Sequence, residues 1–210
     1  MREERFDANY IKTTLIDFLL KEGGYDLIAN EVPFLQENRW ADLIAIKEKT
    51  LIGFEVKSKL DSLKTLSEQI QDYSIVFNKV YLVLAEKFID SSEVKNLPKS
   101  IGIIKFIEKE KKVELLRKPK SKIRLNKEAL LSFLWRKDLE ILLRKKQTRE
   151  ELDKLAIRKL SLKKIQNYVL KSLISRYGKS YQQFLRDCQN NYTTIEDIKT
   201  ITKLRNDYLF

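Results

Sequence analysis

Two short apolar runs carry charges that a buried strand does not tolerate, and they constrain this chain more than any other feature of it. Arg39-Trp40-Ala41-Asp42-Leu43-Ile44-Ala45-Ile46 places an aspartate inside one run. Thirteen residues after Asp42, Leu51-Ile52-Gly53-Phe54-Glu55-Val56-Lys57-Ser58 places a glutamate and a lysine in the other. Apolar runs of this length bounded by polar turns read as strands. Burying a carboxylate is costly unless something pairs with it, so Asp42, Glu55 and Lys57 need a shared reason to sit there. A divalent cation held by two carboxylates beside a lysine is such a reason.

Side chains alternate along a strand, so Ile52, Phe54 and Val56 fall on one face and Gly53, Glu55 and Lys57 on the other. A hairpin through Lys47-Glu48-Lys49-Thr50 lays the first run antiparallel to the second and brings Asp42 within reach of Glu55 or Lys57. The two carboxylates can then offer oxygen ligands to Mg²⁺. Lys57 can position or help deprotonate a water, or offset charge developing on a phosphate. A Glu-x-Lys triplet alone says little, and it occurs three times, at Glu55, Glu93 and Glu110. Only the first lies in a strand and follows an acid across a plausible hairpin. Its bland alternative is an ion pair at a sheet edge.

The chain has no histidine, and its single cysteine, Cys188, excludes an internal disulfide and a cysteine-based zinc cluster. Chemistry here must use carboxylates, lysines, hydroxyls or a hard cation with oxygen ligands. No apolar run approaches the roughly 18 to 20 residues needed to cross a bilayer. The N-terminal stretch is charged and lacks the apolar middle of a secretion signal. These features lead us to expect a cytoplasmic protein without a membrane partner.

At 210 residues the chain can form one domain, or a core with an appendage. Residues 1–119 carry 20 basic and 20 acidic residues, whereas 120–210 carry 22 basic and 10 acidic, so the net charge of +12 lies entirely in the second part. A basic segment joined to a neutral one suits a polyanion such as nucleic acid, although a well-solvated helical surface has the same composition. All three prolines and four of the five glycines precede residue 120. The chain accordingly divides into an α/β core over 1–119 and a basic, all-helical region over 120–210.

In the first part the pattern predicts a helix through Ile11, Leu15 and Leu19 that ends at Gly23-Gly24. Strands follow at Ile28–Val32, Ala41–Ile46 and Leu51–Val56, then a helix carrying Leu66, Ile70 and Tyr73. Further strands are expected at Val80–Ala85, Ile101–Ile107 and Val113–Leu116. This order is that of a mixed sheet flanked by helices. In the second part the pattern predicts helices over Lys127–Lys146, Arg149–Ile157, Ser161–Tyr177 and Ser180–Gln189, and a last one from Thr194.

Asp42, Glu55-Val56-Lys57 and a following helix with Gln69 and Tyr73 resemble the PD-(D/E)XK nuclease superfamily. The longer string Glu31-Val-Pro-Phe-Leu, Arg39-Trp-Ala-Asp-Leu, Gly53-Phe-Glu-Val-Lys-Ser and Gln69-Ile-Gln-Asp-Tyr is similar to the sce7726 family, which is related to the MmcB-like DNA repair group. The similarity is dense over residues 10–90. It implies a restriction-endonuclease-like fold and a nuclease dependent on Mg²⁺ or Mn²⁺. Asp42, Glu55 and the Val56 carbonyl would be metal ligands, Lys57 the catalytic lysine, and Gln69 a helix glutamine near the metal or the scissile strand. Ala41 stands where the motif has proline.

Glu31 either joins the metal site or pairs with Arg39. Tyr73 and Phe77 suit the core, and Trp135 suits packing. Arg39 and Lys59 flank the acids and are candidates for phosphate contacts. Arg144, Lys145, Lys146, Arg158, Lys159, Lys163 and Lys164 are candidates for holding a nucleic-acid backbone. The expected activity is hydrolysis of phosphodiester bonds, of DNA before RNA. The alternatives are a non-catalytic module that keeps the nuclease fold for binding DNA or a partner, and a basic tail that docks on acidic proteins or membranes. The sequence leaves open whether a homodimer is needed to cut both strands.

Overall fold

The computed structural model describes residues 6–36, 38–188 and 192–202. Helix α1 (Ala8–Glu22) starts at an Asp7 cap whose side chain accepts from the Tyr10 amide. It ends where Gly23 and Gly24 take positive φ, 66° and 77°, a conformation cheap only for glycine. Three strands follow, β1 (Leu27–Phe34), β2 (Arg39–Lys47) and β3 (Thr50–Lys57), then α2 (Leu66–Val76) and β4 (Lys79–Ala85). A 3-10 turn and the short α3 (Ser92–Lys95) lead to β5 (Gly102–Ile107) and β6 (Lys112–Arg117).

The six strands form one mixed sheet in sequence order. β1, β2 and β3 pair antiparallel, β3 to β4 and β4 to β5 pair parallel, and β6 returns antiparallel to β5. The expected order of elements is therefore present, and β3, with its embedded charges, is an interior strand rather than an edge.

The faces of β3 separate as alternation requires. Gly53 faces the C-terminal end of α2 so closely that a Cβ there would stand 2.6 Å from the Phe77 ring. Glu55, on the same face, meets Gln69 of α2. On the opposite face Phe54 stacks on Tyr81, with centroids 5.2 Å apart. Phe6, just before α1, and Tyr10 in its first turn pack against Phe106 of β5.

The second part is helical, but two expected boundaries move. The predicted helix Lys127–Lys146 is two, α4 (Lys127–Leu131) and α5 (Arg136–Leu143), separated at Ser132–Trp135. Asp138 accepts from the Trp135 amide and starts α5 afresh, while Ser132 donates to the Ala129 carbonyl and its oxygen accepts from the Leu35 amide. After α6 (Arg149–Lys159), the helices expected at Ser161–Tyr177 and Ser180–Gln189 are one continuous α7 (Leu162–Asp187); Gln189 itself lies outside the described residues.

Gly178 does not break α7. A mid-helix glycine costs about 1 kcal/mol relative to alanine, and the buried stripe Leu173, Tyr177, Tyr181 and Phe184 runs straight past it. α8 (Ile195–Thr200) begins at the expected Thr194 cap. One hydrophobic cluster joins the sheet, α1 and α2 to buried residues of α4 through α8. Among the described residues no helix is long and apolar enough to cross a membrane.

Candidate active site

The site forms where β2 and β3 separate. Their ladder runs from Lys47 opposite Thr50 to Leu43 opposite Phe54 and then stops, so Asp42 and Glu55 are the next residues across the opening gap. The Val56 amide there donates to the Asp42 Oδ2 at 2.8 Å, so a side chain takes the acceptor position that a neighbouring strand fills elsewhere. The Asp42 amide in turn donates to the Tyr73 hydroxyl, 3.2 Å away, which itself lies 3.4 Å from the Phe54 carbonyl oxygen. Tyr73 thus spans both strands from α2 at the point where their pairing fails. It is buried with Phe77 in the core, as expected, and also touches the site.

Glu55 is held from two directions. The Gln69 amide donates to its Oε1 at 2.6 Å, and the Lys57 ammonium stands 2.7 Å from the same oxygen. The Glu55 and Lys57 side chains are only 4% and 10% exposed, so this ion pair lies inside the protein. Asp42, Glu55, Lys57 and Gln69 are therefore brought together, as the sequence suggested.

Glu31 sits in the same row of the sheet, since β1 keeps one register with β2 from Leu27 opposite Ile46 to Phe34 opposite Arg39. At Glu31 the ladder is interrupted by a φ of 51°, a backbone conformation that costs a non-glycine residue about 1–3 kcal/mol and recurs at functional sites. Glu31 does not pair with Arg39. Its partner is Lys12 of α1, whose ammonium is 3.3 Å from Glu31 and 3.7 Å from Asp42 and whose side chain is 3% exposed. Lys12 escaped the sequence reading. It lies one turn before Leu15 and Ile16, both buried, so its place on the core face of α1 was the available signal.

Crowding of charge perturbs the site. Burial first, and the neighbouring charge of Glu55 second, push the Asp42 carboxyl up to about 7, against the opposing pull of Lys12, the Val56 amide and Lys57. The Tyr73 hydroxyl is pushed well above its ordinary value by burial and by the same two carboxylates. A carboxylate whose charge is disfavoured by burial, beside a second acid, offers oxygen donors suited to a hard divalent cation. Among the described residues, no group of three or more histidine, cysteine, aspartate and glutamate side chains gathers as a metal cluster.

The candidate phosphate-binding residues are scattered. The Arg39 guanidinium is engaged by Asp72 at 2.5 Å and by Glu68 at 3.6 Å, and Lys59 by Glu108 at 3.4 Å. Arg144, Lys145, Lys146, Arg158, Lys159, Lys163 and Lys164 are exposed. Lys163 and Lys164 line a surface groove with Leu142, Ser161, Asn167, Tyr168 and Lys171. The first turns of α7 are tied by Gln166 to Asn78, which bonds Leu51 at the start of β3. That point is six residues, or about 20 Å, along β3 from Lys57. Trp135 is half-buried beneath the Arg176 guanidinium, 4.9 Å from its ring centre.

Comparison with known proteins adds three findings. Among solved structures, a Silicibacter pomeroyi protein of unknown function aligns over 88% of this chain and 94% of its own, at 13% identity and a TM-score of 0.45, a likeness too slight to assign the fold. Protein cII of Enterobacteria phage P4 is 34% identical over 208 residues, covering 93% of this chain and 77% of that protein. The family model described as bacteriophage P4 protein cII matches residues 1–202. With nearly its whole length matched by both, the chain belongs to the bacteriophage P4 protein cII family.

Proposed function

We propose that this protein is a divalent-metal-dependent nuclease of restriction-endonuclease-like fold that hydrolyses phosphodiester bonds of DNA. The observation that carries this reading is the gap between β2 and β3, where Asp42 and Glu55 meet with Lys57 and Gln69 fixed against Glu55. The order of helix, three strands, helix and strand around these residues supports the resemblance to the PD-(D/E)XK superfamily.

Asp42 and Glu55 would hold the ion, with the Val56 carbonyl as a further oxygen. Bound there, Mg²⁺ or Mn²⁺ supplies an acidified water and neutralises charge on the phosphate. The protein's own groups do the rest. Gln69 and Lys57 fix the Glu55 carboxylate in one orientation. The Val56 amide fixes Asp42, and Tyr73 braces the strand that carries it. The Lys57 ammonium can orient the attacking water or meet the negative charge that grows on the phosphate oxygens. The exposed lysines and arginines just after α5 and along α6 and α7 supply counter-charge for a phosphate backbone.

A second reading, a module that keeps this fold to bind DNA or a partner without turnover, is favoured by one observation: Lys12 and Lys57 already pair with the carboxylates. Incubation with supercoiled, linear, single-stranded and branched DNA plus Mn²⁺ separates the two. The nuclease reading predicts cleavage by the wild type and loss of at least about 100-fold in Asp42→Ala and Lys57→Ala. Identical behaviour of all three proteins on every substrate contradicts it.

A further inference from the structure

Lys12 stands in an unusual place. It is a helix residue with a 3% exposed side chain, and its ammonium lies between two carboxylates of adjacent strands, 3.3 Å from Glu31 and 3.7 Å from Asp42. A buried ammonium is tolerated only when paired, yet the Glu31 partner is itself half-exposed and sits on a strained backbone. Such an arrangement looks built around the space between Glu31 and Asp42, which is where a cation shared by those two acids would sit.

Resting on the nuclease reading, we propose that Lys12 is a resident cation that fills the second cation position of this site, so that the protein takes one divalent ion and not two. Charge balance supports it. With all three acids ionised, as ligation of a cation requires, the row Glu31, Asp42 and Glu55 carries three carboxylates, and Lys12 and Lys57 return two positive charges, leaving a single negative charge. One divalent ion and one phosphodiester anion then bring the site to neutrality, whereas two ions leave it strongly positive. Geometry agrees, because each Asp42 oxygen already has a separate duty. Oδ2 accepts from the Val56 amide, and Oδ1 faces Lys12. Lys12 and Lys57 thereby flank Asp42 and Glu55 from α1 on one side and from β3 on the other.

The test is calorimetric titration of the full chain with Mn²⁺, with no DNA present. The wild type takes one ion. Lys12→Met, which keeps the length of the stem and removes the charge, binds the first ion about tenfold more tightly because a positive neighbour of Asp42 is gone. Lys12→Glu turns the position into an acid and takes two ions. Should Lys12→Glu not fold, Lys12→Met decides alone. Two ions in the wild type, or Lys12→Met with unchanged stoichiometry and affinity, overturns the inference while leaving the nuclease reading intact. A wild type that binds no Mn²⁺ and cleaves no DNA overturns both.

Discussion

The Asp42 carboxylate accepts a 2.8 Å hydrogen bond from the Val56 amide across the point where β2 and β3 cease to pair. A side chain thus completes the backbone accounting of β3 at the position where the fold opens a gap, and the acid is fixed by the strand whose Glu55 it neighbours. Structure and chemistry share one hydrogen bond, so a substitution at Asp42 has to be read for both.

Asparagine keeps the acceptor and removes the charge. The Asp42 carboxyl is held near 7 instead of its ordinary 3.8, by burial and by Glu55. The folded state therefore prefers the protonated acid. This contribution to stability is full below 3.8 and is lost as the pH rises through about 7. In EDTA, the stability of Asp42→Asn relative to wild type should increase between pH 4 and pH 8, and the variant should be at least as stable as wild type at pH 8. Denaturant unfolding at several pH values measures this.

Gln69 touches Glu55 and no other acid of the site. Gln69→Ala removes a 2.6 Å donor from the Glu55 carboxylate and should weaken Mn²⁺ binding or cleavage by about 10–100-fold, the usual cost of losing a group that orients a ligand. Calorimetry with Mn²⁺ and a cleavage assay read the two effects separately.

Gly53 is required by the close approach of Phe77. A methyl group there would stand 2.6 Å from the ring, so Gly53→Ala should destabilise the protein by about 1–3 kcal/mol through overpacking. Tyr73→Phe removes the hydroxyl from the Asp42 amide and should cost about 1 kcal/mol. Urea unfolding checks both.

The groove of Lys163, Lys164 and Lys171 lies far along the sheet from the acids. Replacing the three lysines with glutamine should weaken DNA binding about equally for every sequence. The slope of log affinity against log salt should fall by about 0.9 for each phosphate that is no longer neutralised. Mn²⁺ affinity should stay at the wild-type value, and fluorescence anisotropy at several salt concentrations provides the comparison.

Much of this was legible because charges inside apolar runs are conspicuous. Asp42, Glu55 and Lys57 declared themselves by being where a strand should be apolar, and Gln69 was pointed to only by the resemblance to the nuclease superfamily. What escaped has a common cause, since partners distant in sequence leave no local pattern. Arg39 was offered Glu31 or a phosphate as its partner, whereas Asp72, thirty-three residues on, holds it, and Lys12 reached Glu31 and Asp42 from another layer. The break at Ser132–Trp135 was hidden because Phe133, Leu134 and Trp135 are apolar and continue the helical pattern. It arises from the Trp135 amide donating to the Asp138 side chain and the Leu35 amide donating to Ser132. Gly178 misled in the opposite direction, because tertiary burial along α7 outweighs its low helix propensity.

Anomalous diffraction from crystals grown with Mn²⁺ would locate the ion itself. One peak is expected in the gap between β2 and β3, within about 2.0–2.2 Å of oxygens from both Asp42 and Glu55, and it should disappear in Asp42→Ala. Wild-type crystals saturated with Mn²⁺ that show no peak there, or a peak touching neither carboxylate, would contradict a metal site between these acids.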